Sequence, residues 1–129
     1  ERIRAAGAGI SAFYTPTCFC TDLAKGKPVK EFDGRSYVEE RWLKADFAIV
    51  KGQLGDSYGN VTYRMAGRNF NPLMCMAAAK TIVQVSKIVP AGGIEPEQVI
   101  TPGIFVDRVV EVANPKQEED MNRAGEVYE

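Results

Sequence analysis

The sequence predicts an α/β fold: an open mixed sheet with flanking helices, incomplete in this chain. Three observations carry that expectation. Short β-branched or wholly apolar runs recur at 47–50, 81–89 and 104–112, and such runs read as strands. Only one internal segment opens as a helix does, at Asn71-Pro72. Roughly six strands with one such helix leave a sheet short of the apolar layers that cover an α/β sheet. The missing layers point to more protein: an N-terminal half, a partner subunit, or both.

Residues 1–6 read as the tail of a helix stopped by Gly7 and Gly9. Residues 10–14 form a short apolar strand ending at Thr15-Pro16, followed by a loop over 17–28. Segments 29–32 and 36–38 flank Asp33-Gly34, a two-residue hairpin signal, and 39–44 read as a single helical turn. Phe47-Ala48-Ile49-Val50 is continuously apolar, the pattern of a strand buried on both faces. Residues 52–60 read as a turn in which Gly59-Asn60 supplies left-handed conformations, and 61–64 as another strand. A helix is expected from Asn71 to about Lys80, with Asn71 as its cap and Pro72 pre-set for its first turn. Residues 81–89 form a strand, 90–102 a connection punctuated by Gly and Pro, and 104–112 a final alternating strand. Residues 1–113 thus make one unit. Residues 114–129, charged and nearly free of large apolar side chains, form a tail or a surface helix around 117–124.

The chain has 129 residues, enough for one domain. Lys and Arg number 16 against 17 Asp and Glu, a net charge of −1, without the basic excess of a nucleic-acid or anionic-membrane surface. No apolar run is long enough to span a bilayer as a helix. The start, Glu1-Arg2-Ile3-Arg4, carries neither a signal peptide nor an initiator Met, as expected of a chain that begins inside a longer polypeptide. Cys18, Cys20 and Cys75 form an odd set that suits a reducing cytoplasm better than a disulfide scaffold. Histidine is absent, which removes Ser-His and Cys-His nucleophile activation and the commonest metal ligand. Structural zinc needs four ligands, which Cys18-Phe19-Cys20 and Cys75 do not supply, so no metal is expected.

Arg68-Asn69-Phe70-Asn71-Pro72 is the densest polar motif. A helix start accounts for Asn71 and Pro72 but leaves Arg68 and Asn69 unused. A polar pair just upstream of a helix is a candidate pocket for an anion or carboxylate. Gly92-Gly93 and Gly7-Ala8-Gly9 do not form a phosphate-binding fingerprint. Glu31, Asp33, Glu39 and Glu40 flank the hairpin and read as solvated, with no spacing that marks a catalytic pair.

The order of motifs says more. Gly7-Ala8-Gly9-Ile10-Ser11-Ala12-Phe13-Tyr14-Thr15-Pro16-Thr17 is followed by Glu31-Phe32-Asp33-Gly34 and by Ala45-Asp46-Phe47-Ala48-Ile49-Val50-Lys51. Then come Asp56 with Gly59-Asn60, the Arg68-to-Pro72 motif, and Thr101-Pro102-Gly103-Ile104-Phe105-Val106. In this order the string resembles the C-terminal part of the alpha (A) subunit of the family I 3-oxoacid CoA-transferases, over roughly residues 1–125. Its ending is most similar to the 3-oxoadipate branch.

That resemblance implies covalent catalysis by a glutamate, which passes through an acyl anhydride and a glutamyl-CoA thioester. The family's nucleophile lies in a Ser-Glu-Asn-Gly motif of the beta subunit. This chain contains no Glu-Asn-Gly, so no catalytic residue is assigned to it, and alone it is expected to be inactive. The implied reaction moves CoA from succinyl-CoA to 3-oxoadipate, with acetoacetate, acetate or another short acid as the alternative acceptor. The CoA thioester is then a substrate, and no cofactor is held covalently. The implied partner is a beta subunit, in a heterotetramer or larger assembly, with no nucleic acid and no membrane. Tyr14, Thr15 and Thr17, with Arg68, Asn69, Phe70 and Asn71, are the implied residues of the cleft wall. Arg68 would pair with the distal carboxylate of a dicarboxylic acid; the structural alternative is that it bridges loops.

Two departures bear on specificity and activity. The family reads Thr-Pro-Thr-Gly-x-Gly-Thr where Cys18 and Cys20 stand here, and glycine there implies positive φ or close backbone approach. Lys51-Gly52-Gln53-Leu54-Gly55-Asp56 stands where the family reads Lys-Ala-Trp-Lys-Ala-Asp. Two other readings belong to other classes. One is a non-catalytic ligand-sensing domain of the same superfamily, which would usually follow a DNA-binding helix-turn-helix that is not seen here. The other is an assembly-only remnant marked by the cysteine substitutions.

Overall fold

Helix α1 (Arg2–Gly7) comes first in the computed structural model, which describes residues 1–113 and 123–125. The helix closes as its sequence predicts: the Gly9 N–H donates to the Ala6 carbonyl (3.2 Å), and Gly9 turns left-handed at φ 72°. Strand β1 (Ala12–Thr15) follows. β2 (Val29–Phe32) and β3 (Arg35–Arg41) form the expected hairpin. Asp33 (φ 49°) and Gly34 (φ 73°) both adopt the left-handed conformation that a two-residue hairpin loop needs. The three strands make an antiparallel sheet in the order β1-β3-β2. The helical turn expected over 39–44 is instead the end of β3. As the middle strand, β3 has Glu39 paired with Tyr14 and Arg41 with Ala12, and that ladder overrides the weak strand preference of three charged residues in a row.

The second sheet is parallel. β4 (Ala45–Lys51) leads through the short β5 (Leu54–Asp56) and a 3₁₀ turn (Met65–Arg68) to helix α2 (Asn71–Ala77). β6 (Ala78–Val85) and β7 (Lys87–Val89) come next, and β8 (Arg108–Glu111) is last. β4, β6 and β8 pair side by side in that order, while β5 and β7 form a separate parallel pair. The α/β class therefore holds, with its strands divided among three sheets.

Several boundaries differ from expectation, each for a local reason. The helix expected to reach Lys80 ends at Ala77, because Ala78 turns extended (φ −97°, ψ 153°) and pairs with Ala45. The run 81–89 breaks at Ser86, whose N–H donates to the Gln53 carbonyl (2.9 Å). Residues 61–64 are not a strand: Val61 only bridges Gly55 and Thr101 before the chain enters the 3₁₀ turn. The expected turn over 52–60 includes β5. The last strand is shorter than 104–112, since Gly103–Phe105 is a 3₁₀ turn and Phe105 packs on the core. Of the helix expected around 117–124, only 123 and 124 are described, and both are helical; the rest lies outside the described residues.

The core gathers Ala48, Val50, Val61, Cys75, Val83 and Val85, with α2 covering one face of the parallel sheet. α1 packs closely on α2, and a Cβ added at Gly7 would stand 2.6 Å from the Met76 Cβ. Among the described residues the other face of the sheet is largely uncovered. Ala48 and Val50 are buried, but Phe47 and Ile49 are 65% and 79% exposed. The strand at 47–50 is therefore covered on one face only, because no described element lies across the second.

Candidate binding cleft

β4 and β6 run in the same direction, so Lys51 and Val85 end at one edge of the sheet. Ligands of open α/β sheets bind in crevices outside such carboxyl ends. A cleft of about 660 Å³ lies there, lined by residues 51–54 from the last residue of β4 onward, by Arg64 and the start of the 3₁₀ turn (65–67), and by Ser86. Backbone bonds fix its floor: the Gly52 N–H donates to the Gln84 carbonyl (2.8 Å), and the Gln53 N–H to the Thr62 carbonyl (2.8 Å). Its wall turns sharply at Met65, a non-glycine residue in the left-handed region (φ 51°) that is 82% exposed. None of the residues lining the cleft carries a carboxylate, while Lys51 and Arg64 do line it. Neither cation has an ion-pair partner among the described residues.

The Arg68-to-Pro72 motif borders this cleft without lining it. Pro72 sits in the first turn of α2 as predicted, but the cap is Phe70, in a right-handed conformation, and no side chain caps the helix. The Asn71 amide instead donates Nδ2–H to the Lys51 carbonyl (2.9 Å). It therefore ties the start of α2 to the cleft floor instead of satisfying a helix N–H. Arg68, Asn69 and Phe70 are exposed, and Arg68 makes no ion pair among the described residues.

Tyr14, Thr15 and Thr17 belong to the hairpin sheet and the loop after it. The Tyr14 hydroxyl donates to Glu39 Oε2 (3.0 Å), and that carboxylate pushes the pKa of the phenol above its ordinary value. The Tyr14 and Phe32 rings meet edge-on at 5.3 Å, and the Lys30 ammonium lies 5.1 Å from the Phe32 centroid. Thr15 Oγ1 accepts from the Thr17 N–H (3.2 Å). Among the described residues, no hydrogen bond or ion pair joins this group to residues 68–71. The polar contacts of the seven residues thus do not join them into one constellation among the described residues.

The loop holds the glycine-type backbone that the resemblance implied at the two cysteines. Cys18 (φ 68°) and Cys20 (φ 64°) both hold the left-handed conformation that favours glycine. The Cys18 carbonyl accepts from both the N–H (3.1 Å) and the hydroxyl (2.7 Å) of Thr21, which fixes the turn. Glu39 and Glu40 are not solvated as expected. As residues of the central strand they carry Tyr14 and Arg41, and Lys27 and Arg2, respectively. Gly59 is left-handed (φ 87°), but Asn60 is not. Asn60 instead bonds the buried Asp56 carboxylate through its own N–H and its amide, and accepts the Gly103 N–H (2.9 Å) on Oδ1. Cys75 is buried, and desolvation raises its thiol pKa, beside a Tyr63 hydroxyl bonded to Thr101 (2.7 Å). That keeps it an inert core group.

The sequence motifs pointed to Arg68; the structure places Lys51 and Arg64 in the cleft. The available signal was their position just after Phe47-Ala48-Ile49-Val50 and Val61-Thr62-Tyr63, which acquires meaning only once the non-local contact between these two segments is known.

No described helix is long and apolar enough to cross a membrane. Residues 1–112 match the family model described as Coenzyme A transferase. The chain is 57% identical over 113 residues to the A subunit of the 3-oxoadipate CoA-transferase from Pseudomonas putida, covering 88% of this chain and 49% of that protein. It is 50% identical over 117 residues to the A subunit of the succinyl-CoA:3-ketoacid coenzyme A transferase from Xanthomonas campestris pv. campestris strain B100, covering 91% and 48%. The chain thus spans about half the length of these curated relatives. Glutaconate coenzyme A-transferase from Acidaminococcus fermentans superposes with a TM-score of 0.76 at 20% identity, over 90% of this chain and 44% of that one; at that identity the likeness concerns the fold alone.

Proposed function

We propose, because the chain belongs to the coenzyme A transferase family, that it forms part of the alpha subunit of an enzyme moving CoA from succinyl-CoA to 3-oxoadipate. The observation that carries this reading is the cleft at the carboxyl ends of β4 and β6. It presents two cations without ion-pair partners among the described residues, and no lining carboxylate. It therefore suits binding of acidic substrates and leaves the nucleophile to another chain. The high identity to A subunits of the 3-oxoadipate type supports the choice of acceptor.

In the proposed reaction a glutamate carboxylate from the beta subunit's active site attacks the thioester carbonyl carbon of succinyl-CoA. The C–S bond breaks, and the CoA thiolate leaves an acyl anhydride. The thiolate then attacks the glutamyl carbonyl, releasing succinate and forming the glutamyl-CoA thioester, and 3-oxoadipate takes the CoA by the reverse steps. Splitting the exchange in this way replaces one difficult step by easier ones. In this reading the chain binds and orients, with Tyr14, Thr15, Thr17 and residues 68–71 contributing to a wall that faces the beta subunit. The assembly is a heterotetramer or larger, works in the cytoplasm and holds no covalent cofactor.

The relatives named succinyl-CoA:3-ketoacid transferases, at 50% identity, favour acetoacetate as the competing acceptor. Assembling the full-length alpha and beta subunits, then measuring CoA transfer from succinyl-CoA to each acid, decides between them. Preferential transfer to 3-oxoadipate is expected. A formed complex that transfers to neither acid would leave only an assembly role.

A further inference from the structure

The structure assigns Lys51 and Arg64 to a single site for a doubly charged anion, held across the cleft at the carboxyl ends of β4 and β6; this rests on the proposed function. The two cations come from different segments. Lys51 is the last residue of β4, and Arg64 precedes the left-handed turn at Met65. Both line one concavity of about 660 Å³, within the range of small-molecule sites. Gln53 and Ser86 line it too, each with a backbone group locked in the bond between the Ser86 N–H and the Gln53 carbonyl (2.9 Å).

The electrostatics favour charge of one sign. Two like charges share a cleft without any lining carboxylate. A dianion neutralises both, with the Arg64 guanidinium able to take two oxygens side by side. The site is also tethered, since the Asn71 amide holds the Lys51 carbonyl and so fixes where β4 ends. Arg68 does not line this concavity, so the site differs from the one its motif predicted. The shared ligand chemistry is paired anionic oxygen, whether from the carboxylates of a dicarboxylic acid or from the phosphates of coenzyme A.

The test uses the assembled αβ protein and reads equilibrium binding of coenzyme A and of succinate separately, alongside CoA transfer. Lys51→Ala and Arg64→Ala are each expected to weaken one of the two ligands by about tenfold or more, the loss typical of a hydrogen bond to a charged group. Arg64→Lys, which keeps the charge and loses the fork, should recover part of it. Arg35→Ala, at the hairpin loop, controls for the loss of one positive charge. Selective loss of coenzyme A binding identifies phosphate as the ligand, and selective loss of succinate binding identifies the acid. Binding of both ligands within twofold of wild type in both alanine variants overturns the site. Binding that depends on Lys51 and Arg64 in a complex without transfer activity would instead overturn the proposed function and leave the site standing.

Discussion

Replacing Cys18 and Cys20 by glycine, and in parallel by alanine, separates backbone strain from thiol chemistry. Both residues sit at φ values of 68° and 64°, where a Cβ crowds the backbone at a cost of about 1–2 kcal/mol per residue. Glycine removes that crowding but frees the unfolded chain, giving back roughly 0.5–1 kcal/mol. Alanine keeps the Cβ and the strain while removing the sulfur. The turn itself should survive either change, because Thr21 bonds the Cys18 backbone carbonyl and not its side chain. Each glycine variant is therefore expected to exceed its alanine counterpart in stability by about 1 kcal/mol. In a domain of this size that is a melting-temperature difference of about 3–5 °C. Urea denaturation followed by circular dichroism measures it as a shift in midpoint at constant slope. Glycine variants no more stable than the alanine variants at both positions would refute the assignment of strain to this loop.

Gly103 faces a harder limit. An added Cβ would stand 2.0 Å from the Tyr58 carbonyl oxygen, in a segment pinned by Asp56 and Asn60. Gly103→Ala should cost about 2–3 kcal/mol, and a thermal midpoint equal to wild type would contradict this packing. Asp107 accepts from Lys80 Nζ (2.7 Å) and from the Thr81 N–H (2.8 Å), contacts that hold its carboxyl below the usual range. Its folded pKa is then lower than its unfolded one, so its contribution is present above about pH 4 and fades as pH falls through the folded value. Asp107→Asn should flatten the acid limb of the stability profile, whereas identical limbs would count against the pairing. If Arg68 reaches the distal carboxylate of the acid, Arg68→Ala in the assembled enzyme should raise KM for 3-oxoadipate by about tenfold with little change in kcat. Unchanged oxoadipate turnover would remove it from the site.

What could be read in the sequence was what local chemistry decides. Asp33-Gly34 favours a two-residue hairpin and Pro72 suits the first turn of a helix, while the glycine-type conformation at Cys18 and Cys20 was legible only through the family resemblance. Non-local pairing was not readable. Glu39, Glu40 and Arg41 become strand because β1, far away in the chain, supplies a partner. Ala78 leaves the helix because Ala45 waits beside it, and alanine resists neither state strongly once a ladder is available. The same holds for the cleft. Asn71 has the right chemistry for a cap, but a free carbonyl at Lys51 takes its amide. Lys51 and Arg64 become neighbours of one cavity only when the segment after β4 bonds to Thr62, through the Gln53 N–H and the Leu54 carbonyl.

The largely uncovered face of the parallel sheet has a practical consequence. Phe47 and Ile49 already stand mostly in water, so exchanging either for a lysine removes few contacts within this chain and should leave its own unfolding nearly unchanged. The same exchange becomes costly the moment anything apolar rests on that face, because a charge would then be carried into a dry contact. Phe47 and Ile49 therefore serve as built-in reporters: silent when the sheet stands uncovered, and loud in proportion to how tightly any covering layer has closed.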